Sequence, residues 1–488
     1  MVFNCTVLML ATLSGEIRYF VKKIKLIFRL YICTNVIYRY NFSMHETPDV
    51  VTSLQTELYD WRLWTTRIVV LAFACLAGLT VVGFTLLTDQ ALQAFHWVSA
   101  WAWWSPLLLT PLCTAAIAWT TLHYAPGAVG SGIPQVMAAL SSGKQYSSLF
   151  VSVRLTITKI LLTTWGLLAG LSIGREGPSV QIAAGIMHSA RRWLPKAGVV
   201  SDHGLIMAGG AAGIAAAFNT PLGGILFAIE ELTRKPDQRS NGLIMAAIVL
   251  GGLMAVSAFG NVTYFGIIPS EKISFSLLLP GLLVALACGL SGGLFSRLLL
   301  VSLSGTSADW FTRQRKRFPI YFAAVCGLVI AVIGLVSHGA TFGSGYAPTR
   351  AMLEGHSDTS TLYVLLKFVV TWLTTWSGVP GGLFAPALAI GGAVGNDVAV
   401  WTGHAQSATL IALGMAGFLA AVTQAPMTAF VIVMEMVDGH GLVLSLMACA
   451  LMSSGVSRLV STPVYSSLAD LQLKRIAAAT AAAEKGNS

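Results

Sequence analysis

Four uninterrupted apolar stretches dominate the chain: Ile68 to Thr88, Gly204 to Ile229, Gly242 to Gly260 and Ser274 to Ser296. Each reaches the roughly 20 helical residues needed to cross a hydrocarbon core. None alternates apolar and polar positions with period two, so they read as helices rather than strands of an outer-membrane barrel. Bare backbone amides are not tolerated in lipid, which also favours helices. The pattern predicts an all-α, multi-pass transmembrane bundle.

Composition sharpens that reading. Hydrophobic residues make up 55% of 488 and charged residues only 10%, against about 25% charged in an ordinary soluble domain. Too little charge remains to cover a water-facing surface. The net charge of +10 is no nucleic-acid signature, because the cations sit in short clusters between apolar runs. These are Arg191, Arg192 and Lys196; Arg234 and Lys235; and Arg313, Arg315, Lys316 and Arg317. By the positive-inside rule these loops are assigned to the cytoplasmic side. Cys5, Cys33, Cys75, Cys113, Cys288, Cys326 and Cys449 show no paired spacing and are read as unpaired packing residues, not disulfides or metal ligands.

The chain divides into an N-terminal segment (1–56), a transmembrane domain (57–470) and a short Ala-rich C-terminal tail (471–488). Residues 1–43 are apolar but broken by Arg18, Lys22, Lys23, Lys25, Arg29 and Arg39. Two readings stand for them: a basic membrane-surface helix, or a start assigned too early, with Met44 the true beginning. No secretory signal is recognised.

The domain contains a repeat. Gly174-Arg-Glu-Gly-Pro-Ser-Val-Gln-Ile182 aligns with Gly382-Leu-Phe-Ala-Pro-Ala-Leu-Ala-Ile390, 208 residues later, and the same offset pairs Lys159 with Lys367 and Thr163 with Thr371. Pro221 to Glu230 pairs with Pro426 to Glu435 at 205, and Gly130-Ser-Gly132 with Gly343-Ser-Gly345 at 213. Conserved order with small drift implies two homologous halves, roughly 60–260 and 275–470. Duplicated halves with Gly/Pro-interrupted apolar segments mark a transporter whose site lies where the halves meet, near the bilayer midplane.

Three of these interruptions carry candidate chemistry: Gly130-Ser131-Gly132-Ile133-Pro134, Gly174-Arg175-Glu176-Gly177-Pro178, and the segment from Gly378 through Gly381, Gly382, Leu383 and Phe384 to Pro386. Glycine favours a break, and proline suits the first turn of a new helix. Each break points the free amides of a helix N-terminus at one place. Such an end carries about +0.5 of partial charge, so three converging ends hold an anion without a full cation and still let it leave. Read singly, each break could equally be a packing kink.

In this order, with a late Tyr465, the motifs resemble the CLC family of chloride channels and chloride/proton antiporters, of the type without C-terminal regulatory domains, over about residues 60 to 470. The resemblance implies two inverted homologous halves whose broken helices meet at a midplane anion site. It implies that chloride is held by the Ser131 hydroxyl, the Leu383 and Phe384 amides and the Tyr465 hydroxyl, with serine at 131 favouring chloride over nitrate. Glu176 becomes the gate: ionised, it occupies the anion's place; protonated, it swings aside. A carboxylate within the membrane costs about 2.5–3.5 kcal/mol on insertion scales, which argues for a function. Glu231 falls at the position of the inner proton-transfer glutamate, so the pair argues for proton-coupled exchange over a passive, gated channel. By sequence alone Glu230 and Glu231 could be ordinary interfacial residues. Lys159 and Lys367 are read as support for the anion path, and Glu435 as structural.

The implied partners are chloride, protons, membrane lipid and a second copy of the chain, with no cofactor, metal or nucleic acid, in a bacterial plasma membrane. From another class, Ser131 and Ser344 lie in Gly-Ser-Gly and faintly suggest an intramembrane serine enzyme. A nucleophile needs a base within reach, and His123, His338 and His356 fall at or near loops.

Overall fold

Helix boundaries follow local chemistry. Ser152, Ser201 and Asp309 accept from the Leu155, Gly204 and Thr312 amides and so open three helices. Proline occupies the first turn of four others, at Pro106, Pro221, Pro319 and Pro426. Gly305 and Gly403 close two more in the left-handed conformation. Within the helices, hydroxyls fold back onto carbonyls one turn earlier, as at Thr114, Thr121 and Ser296, which satisfies them without water.

The computed structural model describes residues 60–142, 147–195, 200–232, 241–260, 263–268, 275–305, 309–355, 361–403 and 407–486. The first 56 residues, Cys5, Cys33, Lys196, Arg234, Lys235 and His356 lie outside them. The architecture is all-α. Seven helices among the described residues are long and apolar enough to cross a membrane. Residues Arg62–Ser488 form one compact unit.

The first half comprises α1 (Trp61–Trp101), α2 (Ser105–Tyr124), α3 (Ile133–Ser142), α4 (Val153–Leu168), α5 (Glu176–Ser189), α6 (Asp202–Phe218), α7 (Pro221–Phe227) and α8 (Asn241–Phe259). The second runs through α9 (Leu278–Ser304), α10 (Trp310–Arg317), α11 (Pro319–Val336), α12 (Tyr346–Leu353), α13 (Leu362–Trp376), α14 (Phe384–Thr402), α15 (Ser407–Thr423), α16 (Pro426–Met436) and α17 (Val443–Val460). A final helix, α18 (Val464–Gly486), runs unbroken across the boundary drawn at residue 470. The described cysteines, Cys75, Cys113, Cys288, Cys326 and Cys449, are free thiols.

One expectation needs correction. Gly204 to Ile229, read as one span, is two helices, α6 and α7, separated at Asn219-Thr220-Pro221. Asn219 is left-handed (φ 59°) and Pro221 cannot continue the preceding helix. The break recurs at Gln424 (φ 59°) before Pro426. Continuity of apolar composition concealed it.

The halves are joined by reciprocal contacts. Gly174 and Gly382 form an antiparallel bridge in which each amide donates to the other's carbonyl at 2.8 Å. Glu230 accepts from the Met427 and Thr428 amides (3.1 and 2.6 Å), and Glu435 accepts from Leu222 and Gly223 (3.3 and 2.8 Å). Each glutamate thus caps the other half's helix N-terminus, where a carboxylate is favoured by the helix dipole. Such exchange is what a two-fold relation between inverted halves requires.

Candidate functional site

The three breaks become three helix starts. Helix α3 begins at Ile133, with Pro134 in its first turn; α5 begins at Glu176; and α14 begins at Phe384. Buried lysines tie two loops, the one before α3 and its repeat mate before α12. Lys159 Nζ, 0% exposed, donates to the Ala128 and Gly130 carbonyls at 2.8 and 2.6 Å. Lys367 Nζ, also 0% exposed, donates to Thr341 and Gly343 at 2.9 and 2.8 Å. Both therefore satisfy backbone that would otherwise be orphaned in lipid.

Those starts meet. The Gly381 amide donates to the Gly130 carbonyl (3.2 Å), beside the Gly174–Gly382 bridge. Gly132 (φ 110°) donates to Gln135 Oε1 at 2.9 Å, while Gln135 reaches back to the Val129 carbonyl, so the loop is held by its own first helical turn. Gly132 and Gly177 permit the closest approach: a Cβ on Gly132 would strike the Gly177 carbonyl, and one on Gly177 would strike the Ser131 hydroxyl. Helices α3 and α5 can touch there only through glycine.

Around this junction, Ser131, Leu383, Phe384 and Tyr465 are buried. The Phe384 and Tyr465 rings stack, with centroids 5.9 Å apart and planes 7° from parallel. Phe218 and Phe227 pack against Phe384 as well. The charges of Glu231 and Glu176 both reach the Tyr465 hydroxyl, which also neighbours that of Ser131. Neither hydroxyl makes a well-formed hydrogen bond among the described residues. Two buried, apolar-walled donors without an acceptor are suited to an anion.

The Glu176 side chain is 0% exposed. Its carboxylate faces its own amide and that of Ala385, in the first turn of α14, but neither oxygen completes a hydrogen bond. A negative group thus rests against two helix N-termini, where an anion would also be favoured. Beside it lies a vestibule, a cavity of about 930 Å³ bordered by Glu176, Arg175, Asp89, His96, Tyr264 and Tyr346. Ser131, Tyr465 and Glu231 do not border it. Glu176 thus borders the vestibule and also lies within electrostatic range of Tyr465, which does not border it.

Arg175 contributes only backbone to the helix end. Its guanidinium turns into the vestibule, pairs with Asp89, donates to the Tyr264 hydroxyl at 3.3 Å and lies 5.8 Å from the Tyr264 ring. Glu231 lies buried in a single π-turn, Ala228–Leu232, after α7. Ala385 and Tyr264 were absent from the sequence-based set. Ala385 follows directly on Phe384 at the same helix end, a signal that was available; Tyr264, in the link between halves, had none. No histidine hydrogen-bonds Ser131 or Ser344 among the described residues. His123 contacts the Trp119 carbonyl (2.8 Å), and Ser344 accepts from the Tyr346 amide (3.4 Å).

A profile of voltage gated chloride channels matches residues 113–458. The H(+)/Cl(-) exchange transporters ClcA of Citrobacter koseri and Salmonella typhimurium are each 30% identical over 361 residues, covering 71% of this chain and 74% of theirs. The structure of a slow cyanobacterial Cl-/H+ antiporter superposes with a TM-score of 0.70 at 24% identity, over 84% of this chain and 98% of that one. That of a CLC-type fluoride/proton antiporter also gives 0.70, at 22% identity and the same coverage.

Proposed function

The chain belongs to the voltage-gated chloride channel family, and from that premise we propose that it exchanges chloride for protons across the plasma membrane. It is a multi-pass membrane transport protein rather than an enzyme. The observation that carries the reading is the position of Glu176: a buried carboxylate against two helix N-termini that also borders the vestibule. Ionised, it competes with a halide for the same partial positive charge. Protonated, it loses that attraction, and the anion takes its place.

Chloride is bound in this reading by the Ser131 and Tyr465 hydroxyls with the α14 amides of Leu383, Phe384 and Ala385. The fold alone does not choose the halide, since a fluoride/proton antiporter shares it equally; the neutral hydroxyl pair supports chloride. Glu231 passes protons on the inner side, and its charge bears on Tyr465. Two copies form the working unit. Exposed Leu222, Ile229 and Met427, from α7, its π-turn and α16, supply an apolar face for that contact; a native mass of one chain would remove it.

Reconstitution into vesicles with an imposed chloride gradient tests the exchange. Uphill proton movement driven by chloride is expected. Chloride flux without proton movement would leave a passive chloride channel instead.

A further inference from the structure

Away from the transport path, cations gather at the C-terminal end of α9, none of them ion-paired among the described residues. Side chains from two distant segments end on its last carbonyls. Arg315 Nη1 donates to Ser302 O at 3.4 Å, Lys316 Nζ to Gly305 O at 2.6 Å, and Arg475 Nη2 to Leu303 O at 2.6 Å. A helix C-terminus attracts cations, but its dipole supplies only about half a negative charge. Three full charges share it. Arg315 and Arg475 end on the neighbouring carbonyls of Ser302 and Leu303, so α10 and α18 bring two like charges together there.

Nearby residues add to the imbalance. Arg313 and Arg317 on α10 and Lys474 on α18 are exposed. Between Gly305 and Pro319 the sole acid is Asp309, and its carboxylate is engaged at the Thr312 amide as the cap of α10. None of these cations forms an ion pair with another described residue. Most guanidinium donors of Arg315 and Arg475 therefore remain available to an anion, and the planar fork suits phosphate.

The surroundings decide the anion's source. Helix α10 joins two long apolar spans, α9 and α11, which sets it at the membrane surface. Trp310, Phe311, Phe318 and Tyr321 are exposed beside the cations, and Arg317 lies 5.2 Å from the Phe318 ring. Aromatic side chains next to lysine and arginine mark the headgroup layer.

We propose that Arg315, Lys316 and Arg475 form a binding site for the phosphate of an anionic phospholipid, bridging α10 and α18 across the end of α9. Trp310 and Phe311 lie against the lipid's glycerol and upper acyl region. The bound lipid braces α18, whose first turn carries Tyr465. Binding itself is independent of whether the chain exchanges or merely conducts chloride.

Native mass spectrometry of the full chain in detergent, with phosphatidylglycerol and phosphatidylcholine added in competition, tests this. Wild-type protein is expected to retain phosphatidylglycerol preferentially. R315Q/R475Q should weaken that binding about thirtyfold, the effect of two interfacial cations, while R315K/R475K should lose only a few-fold. R191Q/R192Q, in another basic cluster, should change nothing. Should R315Q/R475Q fail to fold, the wild-type lipid preference and the R315K/R475K variant carry the decision. Equal retention of both lipids, undiminished binding by R315Q/R475Q, or an equal loss in R191Q/R192Q would overturn the site. Displacement of the lipid by millimolar inorganic phosphate would overturn the lipid assignment.

Discussion

Where the first half of the chain carries Glu176, the second carries Phe384; where the first has Gly177 and Glu231, the second has Ala385 and Met436. At several other paired positions the halves agree. Lys159 and Lys367 each tie two carbonyls of the loop before a short helix. Glu230 and Glu435 cap one another's helices. Asn219 and Gln424 turn the chain with the same left-handed φ of 59°. The shared residues serve backbone that must be satisfied in lipid, and that requirement is the same in both halves. Among the residues that differ are Glu176 and Glu231, the two buried carboxylates that the proposed exchange requires. The frame is duplicated; the chemistry is not.

The π-turn shows how one half escaped the other's constraint. In α16 the chain remains regular helix through Glu435 and Met436, and Met436 is buried among apolar neighbours. In the first half the same stretch widens to Ala228–Leu232. That accommodates Glu230 as a cap and Glu231 as a buried carboxylate on adjacent positions. π-turns of this kind commonly occur at functional sites.

The comparison can be broken at several points. The largest expected effect is at Glu231: Glu231→Gln should abolish proton movement while chloride flux persists, whereas Met436→Leu should leave both intact. Normal proton pumping by Glu231→Gln would remove its role. Next, Lys159→Met and Lys367→Met should destabilise the protein to a similar degree, by about 1–3 kcal/mol for each carbonyl left unpaired. Thermal unfolding in detergent reads this, and a neutral result at either lysine would deny the shared frame.

Gly177→Ala tests the unshared part. Its new Cβ meets Ser131, so a cost of about 1–3 kcal/mol from overpacking and a marked fall in chloride flux are expected. The mirror change, Ala385→Gly, should cost only about 0.5–1 kcal/mol. Equal effects on flux would show that the two helix ends are interchangeable. Smallest are the caps: Glu230→Gln and Glu435→Gln should each lose about 1 kcal/mol, with melting shifts that match. A loss confined to one would mean that the reciprocal capping is not energetically equivalent.

Much of this arrangement was legible in the sequence because its signals are local. Glycine and proline mark helix starts whatever surrounds them, so the breaks at Gly130, Gly174 and Gly382 could be read directly, and the recurring offsets revealed the halves. What escaped depends on register or on distant partners. The π-turn has no compositional mark, so the residues by themselves did not show that Glu230 would cap α16 while its neighbour Glu231 is buried. Arg175 is part of a helix-end motif, yet its side chain is drawn off by Asp89, 86 residues earlier. Unbroken apolar composition hid the turn at Asn219, although Pro221 was in plain view.

The most direct test measures chloride and proton fluxes together, in vesicles, for wild-type protein and Glu176→Gln across a range of pH. If the carboxylate competes with the anion for the helix ends, wild-type flux rises as falling pH protonates Glu176, and the substitution leaves chloride flowing, uncoupled from protons and insensitive to pH. Proton coupling that survives in Glu176→Gln, or chloride flux that vanishes with it, would contradict the account.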